Sequence, residues 1–200
     1  MMDKMPTKDR ILDSALTLFS ERGYDGVGVD LIAENAGIKG PSLYKHFKGK
    51  EDILNALIDK VENYYVTNFG SEESPGKTPS NMEELIELSL DRIKFTLKDP
   101  IIKKVRRLLT MEQFRNPNIA KLNISHSIDS IQGLYKRIFS EMIKSGAIKN
   151  SDPDFLAIIF TAPVSLMVQL YDREPQKENE IINRIEVFFR SFAKEYAVVK

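Results

Sequence analysis

Residues 39–50, KGPSLYKHFKGK, hold four lysines, a tyrosine, a histidine and a serine, with no acidic residue among them. Lysine ammonium groups donate to phosphate oxygens, and Ser, Tyr and His side chains can donate hydrogen bonds to phosphates or base edges. The spacing sorts these groups. If Leu43 and Phe47, four residues apart, point inward, the 100° step of a helix puts Pro41, Ser42, Lys45 and Lys48 on the opposite face, with Tyr44 and His46 on its flanks. A lysine cluster alone is more often a solvated helix face than a binding site. The residues before it decide between the two.

Leu31, Ile32, Ala33 and Ala36 form one short helical pattern, and Leu43 with Phe47 forms a second. They are separated by Gly37-Ile38 and restarted at Gly40-Pro41, which is the pattern of a helix-turn-helix. Small side chains at 33 and 36 let two helices approach, Gly37 permits the turn, and Ile38 fills the corner between them. A supporting helix precedes the motif: Ile11, Leu12, Ala15, Leu16 and Phe19 share a face, and Gly23 ends it.

The rest of the chain supplies no competing chemistry. Its 200 residues, 42% hydrophobic and 29% charged, suit a soluble globular protein of one or two domains. Lys plus Arg equals Asp plus Glu at 29 each, so attraction to a polyanion must be local. The absence of cysteine removes disulfides, thiol catalysis and cysteine zinc sites, and fits a reducing cytoplasm. MMDKMPTKDR carries no apolar run of the secretory type. The most apolar window, 155–168, is about 14 residues with Pro163 inside, short of the roughly 20 needed to cross a bilayer, and reads as a buried helix.

Three-four spacing runs through nearly every segment, so the expected fold is all-α. Ser80 with Glu83 reads as a capping box ahead of Leu85, Ile86, Ser89, Leu90, Ile93 and Leu97. Asp99-Pro100, Asn116-Pro117 and Asp152-Pro153 each pair a capping side chain with a proline at the first helical position. The longest helix is expected to run to Ser145 with Ile124, Ile128, Ile131, Tyr135, Ile138 and Met142 as its core face, and a last helix carries Ile181, Ile185, Phe188, Phe189, Phe192 and Tyr196. The composition breaks at 70–80, GSEESPGKTPS, whose GKT lacks both the glycine spacing and the preceding strand of a phosphate loop. The expected organisation is a helix-turn-helix domain at 1–50, a connecting helix at 51–69, a loop at 70–80, and a further helical domain at 81–200.

Across roughly residues 8–55 the chain resembles the tetracycline-repressor (TetR) family of bacterial transcriptional regulators, through ILDSALTLFSERGYDG, IAENAGI, GPSLYKHF and KGKEDIL. The resemblance implies an N-terminal three-helix helix-turn-helix domain followed by a C-terminal helical domain that dimerises and binds a small molecule. It implies that Lys39, Gly40, Pro41, Ser42, Tyr44, Lys45 and His46 meet the major groove, with Tyr44 on the phosphate backbone. Lys48 shares that face, and Lys50 would hold a phosphate from the start of the fourth helix. Two positions depart from the family pattern. Gly28 stands where a capping, phosphate-touching threonine is usual, and Lys39 where a serine is common; both bear on operator preference.

The expected partners are double-stranded operator DNA, a second copy of the chain, and a small apolar or amphipathic effector, with no membrane, metal or cofactor. Phe95, Met111, Phe114, Tyr135 and Phe139 read either as core or as effector-pocket lining, the resemblance favouring the pocket. Phe155, Leu166, Phe188, Phe189 and Phe192 on the last two helices are expected at the dimer interface. His46 reads as a scaffold or phosphate contact, and His126 as a structural histidine on a polar face. Two histidines without cysteine would leave a transition-metal sensor dependent on carboxylates. No Gly-x-Ser-x-Gly, His-Glu-x-x-His or dinucleotide glycine pattern is present, which argues against an enzyme. The other class in view is a helical small-molecule or lipid carrier whose basic cluster meets something other than DNA. Such a carrier has no reason for a lysine-tyrosine helix behind a small-residue turn.

Overall fold

The computed structural model describes residues 5–69 and 78–198. The chain forms α1 (Thr7–Arg22), α2 (Val29–Asn35), α3 (Gly40–Leu43), α4 (Lys50–Phe69), α5 (Met82–Lys98), α6 (Pro100–Glu112), α7 (Pro117–Ile124), α8 (Ser130–Lys144), α9 (Pro153–Arg173) and α10 (Glu178–Tyr196). A π turn, Ser125–Asp129, joins α7 to α8, and a 3-10 turn, Pro175–Lys177, precedes α10. Among the described residues the extended pairing is one isolated bridge, Ile148 with Ala197. The all-α expectation holds. Most of the expected loop, residues 70–77, lies outside the described residues.

The three Asx-Pro helix starts form as their chemistry requires. The Asp99 carboxylate accepts from the N–H groups of Ile101 and Ile102 at 3.0 and 2.8 Å. Asn116 accepts from Asn118 and Ile119 at 3.0 and 3.3 Å, and Asp152 from Asp154 at 2.9 Å. Each satisfies first-turn donors that have no partner inside their own helix. The capping box before α5 sits one residue later than the spacing of Ser80 and Glu83 implies. Asn81 is the cap and accepts from the Glu84 N–H at 3.0 Å, while the Glu84 carboxylate accepts from the Ser80 N–H at 2.9 Å.

By compactness the chain divides into two units that are not contiguous in sequence. The first combines the described residues up to Asn68 with Lys104–Asn123; the second combines Phe69–Lys103 with the chain from Ile124. In the first, Ile11, Ala15, Phe19, Ile32, Leu43, Ile53 and Leu57 are buried, so α1 to α4 close on one apolar core. The Lys60 ammonium reaches Asp9 at 3.2 Å and Asp13 at 2.8 Å, which ties α4 to α1.

The second unit is built around aromatic rings. Phe160 of α9 stacks on Phe189 at 4.4 Å and meets Tyr135, Phe139 and Phe192 at 4.9, 5.4 and 4.9 Å. Offset and edge contacts of this kind add to the area they bury. Phe189 and Phe192 are 1% and 6% exposed, so they belong to the core of their own unit and not to a dimer interface as their stripe suggested. One polar pair crosses this core: the Tyr135 hydroxyl donates to Ser89 Oγ at 2.9 Å, and Ser89 donates to the Leu85 carbonyl at 2.7 Å. Burial pushes the Tyr135 phenol up, against smaller opposing effects of the Ser89 hydrogen bond and the charge of Arg92.

The long helical stripe breaks at the π turn. Tyr135, Ile138 and Met142 are buried as expected, but Ile124, Ile128 and Ile131 are 52%, 48% and 37% exposed. A π turn takes in an extra residue, so Ile124 before it and Ile128 within it are rotated away from the face that continues through Tyr135; Ile131, already in α8, is not explained by the turn. His126 lies half-buried within this turn. Helix α9 is 21 residues and by length and composition alone could span a membrane. Its Leu156, Ala157, Phe160, Thr161 and Tyr171 are buried in the folded unit.

Candidate nucleic-acid interface

The turn between α2 and α3 is fixed from both sides. Gly37 takes φ +65°, a conformation open to glycine and costly to a residue with a Cβ. Its N–H donates to the Glu34 carbonyl and that of Ile38 to the Ala33 carbonyl, both at 2.9 Å, the paired bonds of a Schellman stop. From α1, the Arg10 guanidinium donates to the carbonyl of Ala36 through Nε at 3.1 Å and to that of Gly37 through Nη2 at 3.1 Å. A cation there satisfies carbonyls left open at the end of α2 and complements its dipole.

Beyond the turn, Leu43 and Phe47 are buried at 0% and 3% exposed, the anchoring that the helical step required. Lys39, Pro41, Tyr44, Lys45, His46 and Lys48 are exposed, while Gly40 and Ser42 are half-buried beside them. Tyr44 is 57% exposed, unusual for a ring whose apolar body gains from cover. The regular helix α3 is one turn, Gly40–Leu43, and hydrogen bonds from His46 and Phe47 to the Leu43 carbonyl at 2.9 and 3.0 Å carry the coil onward. The Asp52 carboxylate then accepts from the Lys48 N–H at 2.9 Å and caps the approach to α4.

Lys50 is half-buried and anchored. Its ammonium donates to the Tyr24 carbonyl at 2.9 Å and lies 4.3 Å from the centre of the Tyr24 ring. Burial, with Glu51 and Asp25 adding to it, raises the Tyr24 phenol above its ordinary value, so the ring under the cation is neutral. Lys8, at the start of α1, sets its ammonium 5.7 Å from the Phe47 ring centre and adds a cation to this region. Neither Lys8 nor Arg10 stood out in the sequence, because their partners lie tens of residues away and neither belongs to a motif.

The residues of the other two candidate groups are spread over several helices. Tyr135 and Phe139 lie 6.2 Å apart in the second core, and Phe95 packs edge-on against Phe69 at 5.6 Å in the same unit. Met111 and Phe114 belong to the first unit and are 37% and 92% exposed. Of the expected interface residues, Phe155 and Leu166 are 50% and 60% exposed, Phe188 is half-buried, and Phe189 and Phe192 are core. Ile158, not singled out from the sequence, shares the face of Phe155 and Leu166 and is 49% exposed.

Residues 11–57 match the family described as bacterial regulatory proteins, tetR family. The negative transcriptional regulator IcaR of the biofilm operon icaADBC from Staphylococcus epidermidis is 46% identical over 59 residues, 30% of this chain and 32% of that protein, so the match spans about a third of its length. IcaR from Staphylococcus aureus (strain Newman) is 29% identical over 157 residues, 76% of this chain and 77% of its own. Among solved structures, SmeT, the repressor of a Stenotrophomonas maltophilia multidrug efflux pump, superposes in its triclosan complex with TM-score 0.73 at 18% identity, over 96% of this chain and 92% of that one. FadR of Bacillus subtilis with stearoyl-CoA superposes with TM-score 0.65 at 21% identity, over 92% of this chain and 97% of that one. With the helix-turn-helix geometry and the family match, residues 11–57 form a DNA-binding domain of the tetR family of bacterial regulatory proteins, and the chain shares its fold with these solved structures over nearly its whole length.

Proposed function

We propose that this protein is a transcriptional repressor that binds an operator as a homodimer and releases it on binding a small apolar or amphipathic molecule. The observation that carries the reading is the segment from Lys39 to Lys48. Its two large apolar side chains are buried, and its lysines, tyrosine and histidine are exposed on a turn held by Arg10. Side chains so placed can enter a major groove, while Lys50 and Lys8 lie where backbone phosphates would pass. Repression is supported by the IcaR relatives, which are negative regulators, and effector response by the ligand-bound SmeT and FadR neighbours. In this reading residues 1–50 read DNA and residues 81–200 bind effector and dimerise, within a bacterial cytoplasm.

The effector site is placed in the second unit, where Phe95, Tyr135 and Phe139 supply apolar surface and the Tyr135–Ser89 hydroxyl pair supplies a polar partner. The dimer is placed on the α9 face carrying Phe155, Ile158, Ala162 and Leu166. These follow three- and four-residue steps and are all exposed, an apolar strip that a second copy would cover. A two-fold dimer presents two reading heads about one DNA turn (roughly 34–36 Å) or more apart, so the operator should be an approximate palindrome. Selection of bound duplexes from randomised DNA tests this. The expected product is one enriched sequence with two-fold symmetry; no enrichment would favour the carrier reading of a helical small-molecule or lipid-binding protein.

A further inference from the structure

Glu112 is the last residue of α6 and is 1% exposed. A carboxylate at that position is opposed twice, by the loss of water around a charge and by the negative end of its own helix dipole. One of its oxygens accepts a hydrogen bond from the Tyr24 N–H at 3.0 Å, in the segment that leaves α1. The space it enters is the space a side chain would fill, since a Cβ on Gly23 would lie 2.8 Å from that oxygen. Gly23 itself takes φ +75°, ψ 164°, a region essentially reserved for glycine.

The other side of Tyr24 faces Lys50. The Tyr24 carbonyl accepts from the Lys50 ammonium at 2.9 Å, the ring lies beneath that ammonium at 4.3 Å, and Phe19 steadies the ring at 5.2 Å. Glu112, Tyr24 and Lys50 therefore form a continuous chain of polar contacts within the first unit. It ends two residues past Lys48, at the edge of the exposed basic segment. An ammonium has three donors. The bond to Tyr24 uses one and aims the others, and a cation fixed in advance loses less freedom when it meets a phosphate.

We infer that Glu112 is a positioning residue for DNA binding: through Tyr24 it fixes the Lys50 ammonium in the orientation that contacts the phosphate backbone. The inference rests on the DNA-binding reading above and adds to it a residue remote in sequence from the motif.

The test is the salt dependence of operator binding by the full-length chain and its variants. Glu112→Leu removes the acceptor at similar volume, Glu112→Gln keeps an oxygen in place, and Lys50→Ala removes the cation. Each phosphate contact contributes about 0.9 to the slope of log K against log salt. Glu112→Leu and Lys50→Ala should each weaken binding about tenfold and flatten the slope by about one contact per subunit, while Glu112→Gln stays near the unmodified protein. The Glu112→Leu, Lys50→Ala double variant should bind no worse than Lys50→Ala alone. An unchanged slope in Glu112→Leu, or additive losses in the double variant, would overturn the inference. If circular dichroism shows Glu112→Leu unfolded, Glu112→Asn takes its place, since its shorter side chain withdraws the acceptor from Tyr24 and the same two outcomes decide. Failure of the unmodified protein to bind any operator would instead count against the DNA-binding reading.

Discussion

Gly28 caps α2 with φ −92° and ψ 160°, ordinary extended backbone, and nothing lies within 4 Å of where its Cβ would be. The position therefore has room for the threonine usual in the family, and no strain explains the glycine. Gly28→Thr should raise thermal stability slightly, by a few tenths of a kcal/mol, because a hydroxyl can accept from a first-turn N–H that glycine leaves open. It should also tighten operator binding by adding a phosphate donor; a calorimetric scan and a binding titration read the two effects, and weaker binding would contradict the assignment. At this scale the sequence was informative where function depends on local geometry. Leu43 and Phe47 fixed which of their neighbours are exposed, because side chains four apart share a helical face. It was silent on Arg10, Lys8 and Glu112, whose partners are Ala36, Phe47 and Tyr24. Contacts spanning tens of residues leave no mark in local spacing.

Among the elements, helix starts were legible and helix faces only partly so. The Asx-Pro pairs formed because cap and proline act within one turn, whereas the α5 cap moved from Ser80 to Asn81, two residues with equal capping chemistry. The π turn at Ser125–Asp129 could not be read, since a stripe of isoleucines is compatible with an unbroken helix and nothing in it signals the extra residue. The aromatic stripe of α10 suggests an interface, because a terminal helix does not usually leave so many rings in water. The structure covers Phe189 and Phe192 internally, with Phe160 and Phe139. Of the two helices expected at the interface, α9 keeps an exposed apolar face. Leu166→Arg should give monomers in light scattering at micromolar concentration while leaving the helical signal intact, because Leu166 is 60% exposed in its own subunit. A dimer that survives this change would remove α9 from the interface.

For the molecule as a whole, the burial of one tyrosine in the second core sets an alkaline limit. The folded Tyr135 phenol titrates above its ordinary 10.0, so the folded chain holds a proton that the unfolded chain has begun to release. Stability from this group is complete below about pH 10 and falls as pH rises towards the folded value. Lys60 adds a loss of the same sign: burial alone would lower its pKa, but the hydrogen bonds and charges of Asp13 and Asp9 raise it above 10.5. Tyr135→Phe should make denaturant midpoints fall less steeply between pH 9 and 11, at a cost near neutral pH of about 1 kcal/mol for the lost hydrogen bond. An unaltered alkaline slope would show that Tyr135 is not the group responsible. In a chain of zero net charge, attraction to DNA has to come from the cluster that begins at Lys39. Its most direct test is the affinity of the unmodified protein for the DNA upstream of its own gene, measured across salt concentrations against an unrelated duplex of equal length. Tight, salt-sensitive binding to the upstream fragment is expected, with log K falling linearly in log salt by about 0.9 per phosphate contacted, and much weaker binding to the unrelated duplex. Equal affinity for both duplexes, or no binding at low salt, would contradict it.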